Sequence, residues 1–462
     1  MAGLLCLQAA WLTVVPAFHG PDEFDHALRA ASVARGHWGS SELSPDDGRG
    51  SLILVPEDVA LAARDTCEAL EYTGPDNCRP SSAPDADGQV LIASAASAYN
   101  PVYYTVVGSA ARPFEGVAAL YAMRLASLVL CDLLLAAALL LALRRRPSGW
   151  QALGLTLLLT PIFLYSTIVA APNAVGYAAA VLLWTALLAL PEDDDGPVGW
   201  TLAAVSVGVA IVTSTHTTGL MWVAAIALCG FPLWRRRLHV LRRHHPGKTL
   251  ASGTIAALSA VACLVWIVSA GTNDPRSDDG DFGPAPAKLF LVMPAVWVLQ
   301  SFATLRMRDQ AAPMLVYALA VALLATLLTL AWRRSGRPAR LTLVLVAAAS
   351  LVAPLAATWV AHPYMGNAWQ ARYGFPLYVG IYLVALQSQV RQASPARLTS
   401  LGLALALGLI QVVTLWAFLR DEVEHGGWDG PTAWRYASIV VLCLAATGFL
   451  HLSSRQMAHD RE

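Results

Sequence analysis

Charge is scarce in this chain. Of its 462 residues only 13% are Asp, Glu, Lys or Arg, and 31 basic residues balance 31 acidic ones. Soluble globular domains carry about 25% charged residues, so the deficit excludes an ordinary soluble fold. The zero net charge gives no basis for a nucleic-acid partner. Cysteine is also sparse, seven residues in all, and only Cys67 and Cys78 lie outside apolar stretches. No CxxC, HExxH, GxGxxG or GxxxxGKS/T pattern occurs. Redox, zincin, dinucleotide and P-loop chemistry therefore have no support in the sequence.

What remains is apolar: 56% of the residues are hydrophobic and the mean hydropathy is +0.53. The runs have the length a helix needs to cross about 30 Å of hydrocarbon. They fall at 1–18, 117–142, 150–169, 174–190, 198–214, 217–233, 250–269, 313–332, 341–360, 373–390, 398–419 and 435–452. The pattern predicts an all-α polytopic membrane protein of about twelve transmembrane helices, one membrane domain over 1–462. With the N-terminus cytoplasmic, 17 of the 31 Lys and Arg lie in short inside loops and the tail, 13 lie outside, and Arg124 lies in a span. That asymmetry orients the chain in the plasma membrane with both termini cytoplasmic. The first run is read as a retained helix, because "VVPAFHG" lacks a small-x-small cleavage site.

Two outside segments stand out. Residues 19–116 form a long first extracytoplasmic loop, large enough for a small subdomain, and Cys67 and Cys78 are expected to form a disulfide on that oxidising side. Residues 270–312 begin with the acidic "GTNDPRSDDGDFGPAPAK" and continue into a short apolar run broken by Pro294. That run reads as an interfacial or re-entrant helix.

The chemistry-bearing residues gather at the same membrane face. In "HGPDEFDHALRAA", Pro21 followed by Asp22 and Glu23 has the form of a helix start, with acids in the first turn. On a helix, Asp22 and His26 are i, i+4 neighbours, as are Asp25 and Arg29, which puts the four on one polar face. A shielded carboxylate beside an imidazole is suited to take a proton from a hydroxyl; simple capping is the competing reading. "SAYNPVYYTVVGS" places Asn100, Tyr103 and Tyr104 before the second span, and "NAWQARYGFP" places Gln370, Arg372 and Tyr373 at the outer end of the tenth. An interfacial guanidinium forks onto phosphate oxygens or merely anchors its helix. Arg124 and Asp132, inside the second span, are costly in hydrocarbon and are expected to face the bundle interior.

The order "GPDEFDHALRAASVARG", "YNPVYY", "MRLAS" and "QARYGFP" resembles a bacterial membrane-protein family catalogued as domain of unknown function 2142, grouped with the GT-C glycosyltransferases. The resemblance implies a GT-C-like fold and a sugar donor carried on polyprenyl phosphate. It further implies a base just beyond the first membrane helix, which falls on Asp22 with Glu23 as its neighbour. The implied reaction is transfer of that sugar to an extracytoplasmic cell-envelope glycan or lipid acceptor. Arg372 would hold the leaving phosphate, with Arg306 and Arg308 as alternates. Such families often carry an acid in a "PD" turn after the third span, whereas this chain has Asn173 in "AAPNAVGY", so a divalent metal, possible in the class, is left unassigned. A transporter or flippase of lipid-linked glycans, or a non-catalytic envelope-assembly protein, is the alternative. A transporter predicts polar groups near the midplane and a repeat between halves, and no six-plus-six repeat is evident.

Overall fold

A computed structural model describes the chain apart from residues 40–49, 70–77, 146–149, 151–153, 155, 191–197, 272–281, 305–309, 368, 391–396, 429 and 460–462. The alternate phosphate residues Arg306 and Arg308 and most of the acidic loop after Gly271 lie outside the described residues. The order begins with α1 (Ala2–Val14), α2 (Glu23–Ala34), β1 (Ser51–Pro56), α3 (Glu57–Glu68), β2 (Gln89–Ser94), α4 (Pro101–Ala111) and α5 (Gly116–Arg145). Helices Pro161–Thr167, Asn173–Leu188, Val198–Thr215, Gly219–His244, Pro246–Ser269 and Ala287–Gln300 follow. The chain continues through Met314–Arg334, Arg337–Met365, a 3-10 turn Ala371–Gly374, Phe375–Val390, Arg397–Glu424 and Ala433–His459.

Among the described residues, seven helices are long and apolar enough to cross a membrane, those beginning near 116, 198, 246, 314, 337, 398 and 433. The protein is thus a multi-pass membrane protein, but the expected spans are not uniform. Those at 1–18, 174–190 and 373–390 fall on helices of 13, 16 and 16 residues. At 1.5 Å per residue they cover about 20–24 Å, short of a full hydrocarbon core. The expected span at 150–169 is broken at Leu158–Thr160, and a seven-residue helix restarts at Pro161. Proline suits that first position because it has no N–H to leave unpaired, and the Thr160 hydroxyl accepts from the Phe163 amide.

The all-α expectation also needs correction. In the first outside loop β1 and β2 pair antiparallel, with Ser51 opposite Ser94 and Val55 opposite Val90. The Cys67–Cys78 disulfide closes the far side of α3. This small sheet braces α2, because the Ser94 hydroxyl donates to the Asp25 carbonyl and the Ala95 amide to the Asp25 carboxylate, 3.1 and 2.9 Å. On the other flank, Gly108 of α4 lies so close to Ala30 that a Cβ there would come within 2.0 Å of its carbonyl oxygen. Only glycine permits that approach, and α2 is buried along most of its length as a result.

The last two long helices and the segment between them clasp α1. Trp11 donates to Gln411 at 3.3 Å and Trp428 donates to the Val14 carbonyl at 2.8 Å. Arg435 lies over the Trp428 ring and donates to the Thr13 carbonyl. The segment between α1 and α2 is therefore held from both ends of the sequence.

Candidate functional site

Helix α2 begins at Glu23, two residues later than a proline start at Pro21 implies. Asp22 is its N-cap, with φ +57° and no capping hydrogen bond from its side chain. Helix capping therefore does not account for this carboxylate. It instead pairs with the Arg372 guanidinium, contributed by the 3-10 turn 350 residues away. The Arg372 side chain is 6% exposed and that of Asp22 27%, so the pair closes a site whose carboxylate side meets solvent. Burial opposes the charge on Arg372, but Asp22 and Tyr373 overcome it and hold the guanidinium above its ordinary range. Its face lies over the Tyr373 ring, 5.4 Å from the centroid.

The turn that presents Asp22 is strained. Phe18 and Asp22 are the only non-glycine residues with positive φ among those described, at +63° and +57°. Such conformations cost roughly 1–3 kcal/mol each and persist only where the surroundings over-determine them. Here the surroundings do so at three points. The His19 ring donates from Nδ1 to Glu422, which is fully buried, at 2.7 Å. The Tyr165 hydroxyl donates to the His19 carbonyl at 2.7 Å, and the Gly20 amide donates to Glu23 at 3.2 Å.

Glu23, expected as the neighbour of the base, goes the other way. It forms a wholly buried pair with Arg124, with Nη2 to Oε2 at 2.6 Å and Nε to Oε1 at 2.8 Å, and it accepts from the Ala170 amide. Arg124 donates in addition to the carbonyls of Val15 and Pro16. Two more of its five N–H groups are thereby used on the chain just ahead of the strained turn. Asp132, the other charge in that span, accepts from Gln8 at 2.9 Å.

The remaining expected residues divide between lining and support. His26 is buried, bonded through Nδ1 to the Tyr104 hydroxyl at 2.8 Å. Burial, with Arg372 and His216 nearby, lowers its pKa to about 4 despite Asp22, so the imidazole is neutral at pH 7. His216 is held at about 4 by burial and Arg372. Tyr104 stays protonated because burial raises its pKa well above the ordinary phenol value, and Tyr103 bonds Ser127 at 2.5 Å. Asn100 caps α4 by accepting from Val102, Asp25 holds β2 as described, and Arg29 donates to the carbonyls of Trp38 and Tyr99. Gln370 precedes Arg372 with its side-chain oxygen buried.

Sequence reasoning passed over His19, Glu422, Tyr177, His216 and Trp222. His19 and Glu422 carried a partial signal: a histidine beside the suspected acid, and a cluster of acids at the end of a largely apolar helix, within which nothing local marks Glu422. Asn173, the departure from the family pattern, lies in the recess next to Arg372 with Tyr177, His216, Trp222 and Tyr373. Among the described residues no three His, Cys, Asp or Glu side chains come together as metal ligands.

The chain belongs to the DUF2142 family of predicted membrane proteins, whose model matches residues 5–381. Two solved structures resemble it over most of its length. ArnT from Cupriavidus metallidurans bound to undecaprenyl phosphate matches at a TM-score of 0.47 and 12% identity, covering 99% of this chain and 76% of that one. The apo form of the same protein gives 0.39 and 13%, covering 94% and 75%. No curated protein matches.

Proposed function

We propose that the protein is an inverting GT-C-type glycosyltransferase of the plasma membrane. It would move a sugar from polyprenyl phosphate to an extracytoplasmic glycan or lipid acceptor, with about twelve spans and both termini cytoplasmic. The observation that carries this reading is the Asp22–Arg372 pair, which joins a partly exposed carboxylate at the start of α2 to a buried guanidinium in the 3-10 turn Ala371–Gly374. Arg372 offers a planar fork of donors, and its Nε–H has no partner within the protein. A phosphate arriving there makes charge-assisted contacts and competes with Asp22 for the guanidinium. The carboxylate then loses its counter-ion and becomes a stronger base at the moment the donor is seated.

The reaction follows from those two roles. Asp22 takes the proton of the acceptor hydroxyl, and the oxygen forms a bond to the anomeric carbon from the face opposite the phosphate. The bond from that carbon to the phosphate oxygen breaks, and the electron pair leaves with polyprenyl phosphate. Negative charge grows on the phosphate as the bond breaks, so Arg372 stabilises the transition state more than the ground state. Purified protein in lipid nanodiscs, supplied with a polyprenyl-phosphate sugar and an acceptor, tests the reading. Transfer should be measurable and should fall at least about 100-fold in Asp22→Asn. Absence of transfer with a broad donor panel, while the lipid is vectorially moved, would favour transport. The Gln8–Asp132 and Trp11–Gln411 hydrogen bonds inside the bundle are observations on that side.

A further inference from the structure

Helix α4 is tied at both ends to helices long and apolar enough to cross the membrane. Just before its start the Ala98 carbonyl accepts from the Trp266 indole at 3.0 Å, and Trp266 stands in the last turn of the span Pro246–Ser269. Just after its end Gly116 opens α5, a second span, and the Gly116 amide donates to the Asp58 carboxylate of α3. The 11 residues of α4 reach about 16 Å at 1.5 Å each. Held between the end of one span and the start of another, the helix runs along a membrane face.

Its two sides differ. Tyr103, Tyr104, Val107, Gly108 and Ala111 are buried, and the Tyr104 bond to His26 and the Gly108 approach to Ala30 fix that side on α2. Val102, Val106 and Ala110 follow one another at i, i+4 spacing and form a stripe on the opposite side. Val102 is 58% exposed, Val106 is 50% exposed, and Ala110 is exposed as well. Thr105 and Ser109 flank the stripe, and Thr105 turns its hydroxyl back to the Pro101 carbonyl at 2.9 Å. Past the helix Phe114 is 49% exposed, between exposed Arg112 and Glu115. The apolar surface then continues along α5 through exposed Val117, Leu125 and Val129.

We infer that α4 is an interfacial helix whose exposed stripe is seated in the lipid surface of the leaflet at the start of α5. Exposed valines on a helix pinned at that depth bury their apolar area among acyl chains, and the flanking Arg112 and Glu115 stay at headgroup level. Continuity decides the occupant: the stripe runs into the exposed side of a membrane span, where lipid already lies, so the bilayer fits it better than a protein partner or a second copy of the chain. The contact reaches the candidate site. Lipid backs α4 on one side, and the other side of α4 backs α2, whose N-cap is Asp22.

Spin labelling of the full-length protein in phosphatidylcholine and phosphatidylglycerol nanodiscs tests this without any turnover. Labels go on Val102→Cys and Val106→Cys in a Cys6→Ser background, because Cys6 is the free cysteine that is not buried. Val129→Cys serves as the lipid reference and Arg64→Cys, on the exposed side of α3, as the water reference. Relaxation by oxygen, which concentrates in lipid, should exceed relaxation by a water-soluble nickel chelate severalfold at 102 and 106, as at 129, with the reverse at 64. Stronger relaxation by nickel at 102 and 106 would mean that the stripe faces water, and weak relaxation by both reagents that protein covers it; either result overturns the inference. In the second case a short label-to-label distance between copies would identify another chain as the cover. Carbene labelling of the unsubstituted protein from a lipid-borne diazirine gives the same answer free of any substitution. The peptide 101–114 should carry label, and its protection while α5 is labelled would also overturn the inference.

Discussion

Two adjacent carboxylates, Asp22 and Glu23, each meet an arginine from a distant part of the chain, and the two pairs do different things. Glu23–Arg124 is completely buried, doubly bonded, and surrounded by further bonds to Ala170, Val15 and Pro16. Asp22–Arg372 keeps the carboxylate 27% exposed, leaves the Arg372 Nε without a hydrogen-bond partner, and borders an aromatic recess. Sequence neighbourhood therefore says little about role. A buried, multiply bonded pair holds a shape, whereas a pair with an unpartnered donor and an open side can exchange one partner for a ligand.

The contrast can be broken from the structural side first. Arg124→Ala strands Glu23 in the interior and should destabilise the protein by about 3–5 kcal/mol, seen as loss of monodisperse protein on detergent size exclusion or a large fall in unfolding temperature. His19→Ala removes the clamp on the strained turn and a hydrogen bond to a buried charge, worth roughly 1.5–3 kcal/mol. His19→Asn, which keeps a donor near Nδ1, should recover most of it, and hydrogen exchange of the 18–24 segment reports the difference. His26 gives a pH signature. Its folded pKa of about 4 lies below the ordinary 6.5, so protonation favours the unfolded chain. Stability is full above about pH 6.5 and is lost as pH falls towards 4, by about 2 kcal/mol at pH 5; His26→Gln should flatten that slope in thermal unfolding. Smallest in energy is Arg372→Lys, which keeps charge and loses the fork. Transfer should drop about tenfold, or roughly 1.4 kcal/mol, with expression unchanged, while full activity would return Arg372 to the role of an interfacial anchor.

Much of this was legible before the structure, and the failures have physical causes. The apolar runs mark where helices lie, since length and hydropathy are local properties. The break at Leu158–Thr160 depends on Thr160 and Pro161 starting a new helix, which a run of apolar residues conceals. A small subdomain is expected in the first loop, but its sheet goes unassigned there, although "SLILVP" and "QVLIAS" are short β-prone runs. Asp22 and Arg372 stood out individually by residue type and position at the membrane face. Their pairing across 350 residues is a tertiary fact with no local trace. The same holds for His19 and Glu422, 403 apart. Glu23, Asp25 and Asn100 illustrate the converse: polar residues near a site were chosen for chemistry, and packing uses them as an ion-pair partner, a strap and a cap.

The central claim is that Asp22 works and Glu23 holds. Asp22→Asn and Glu23→Gln, purified side by side in nanodiscs, should be measured both for unfolding temperature and for transfer from polyprenyl-phosphate sugar. The account predicts that Asp22→Asn unfolds close to the wild-type temperature and loses transfer at least about 100-fold. Glu23→Gln should unfold well below the wild type, with transfer per folded molecule much less affected. The reverse pattern, a stable but inactive Glu23→Gln beside an active Asp22→Asn, would contradict it.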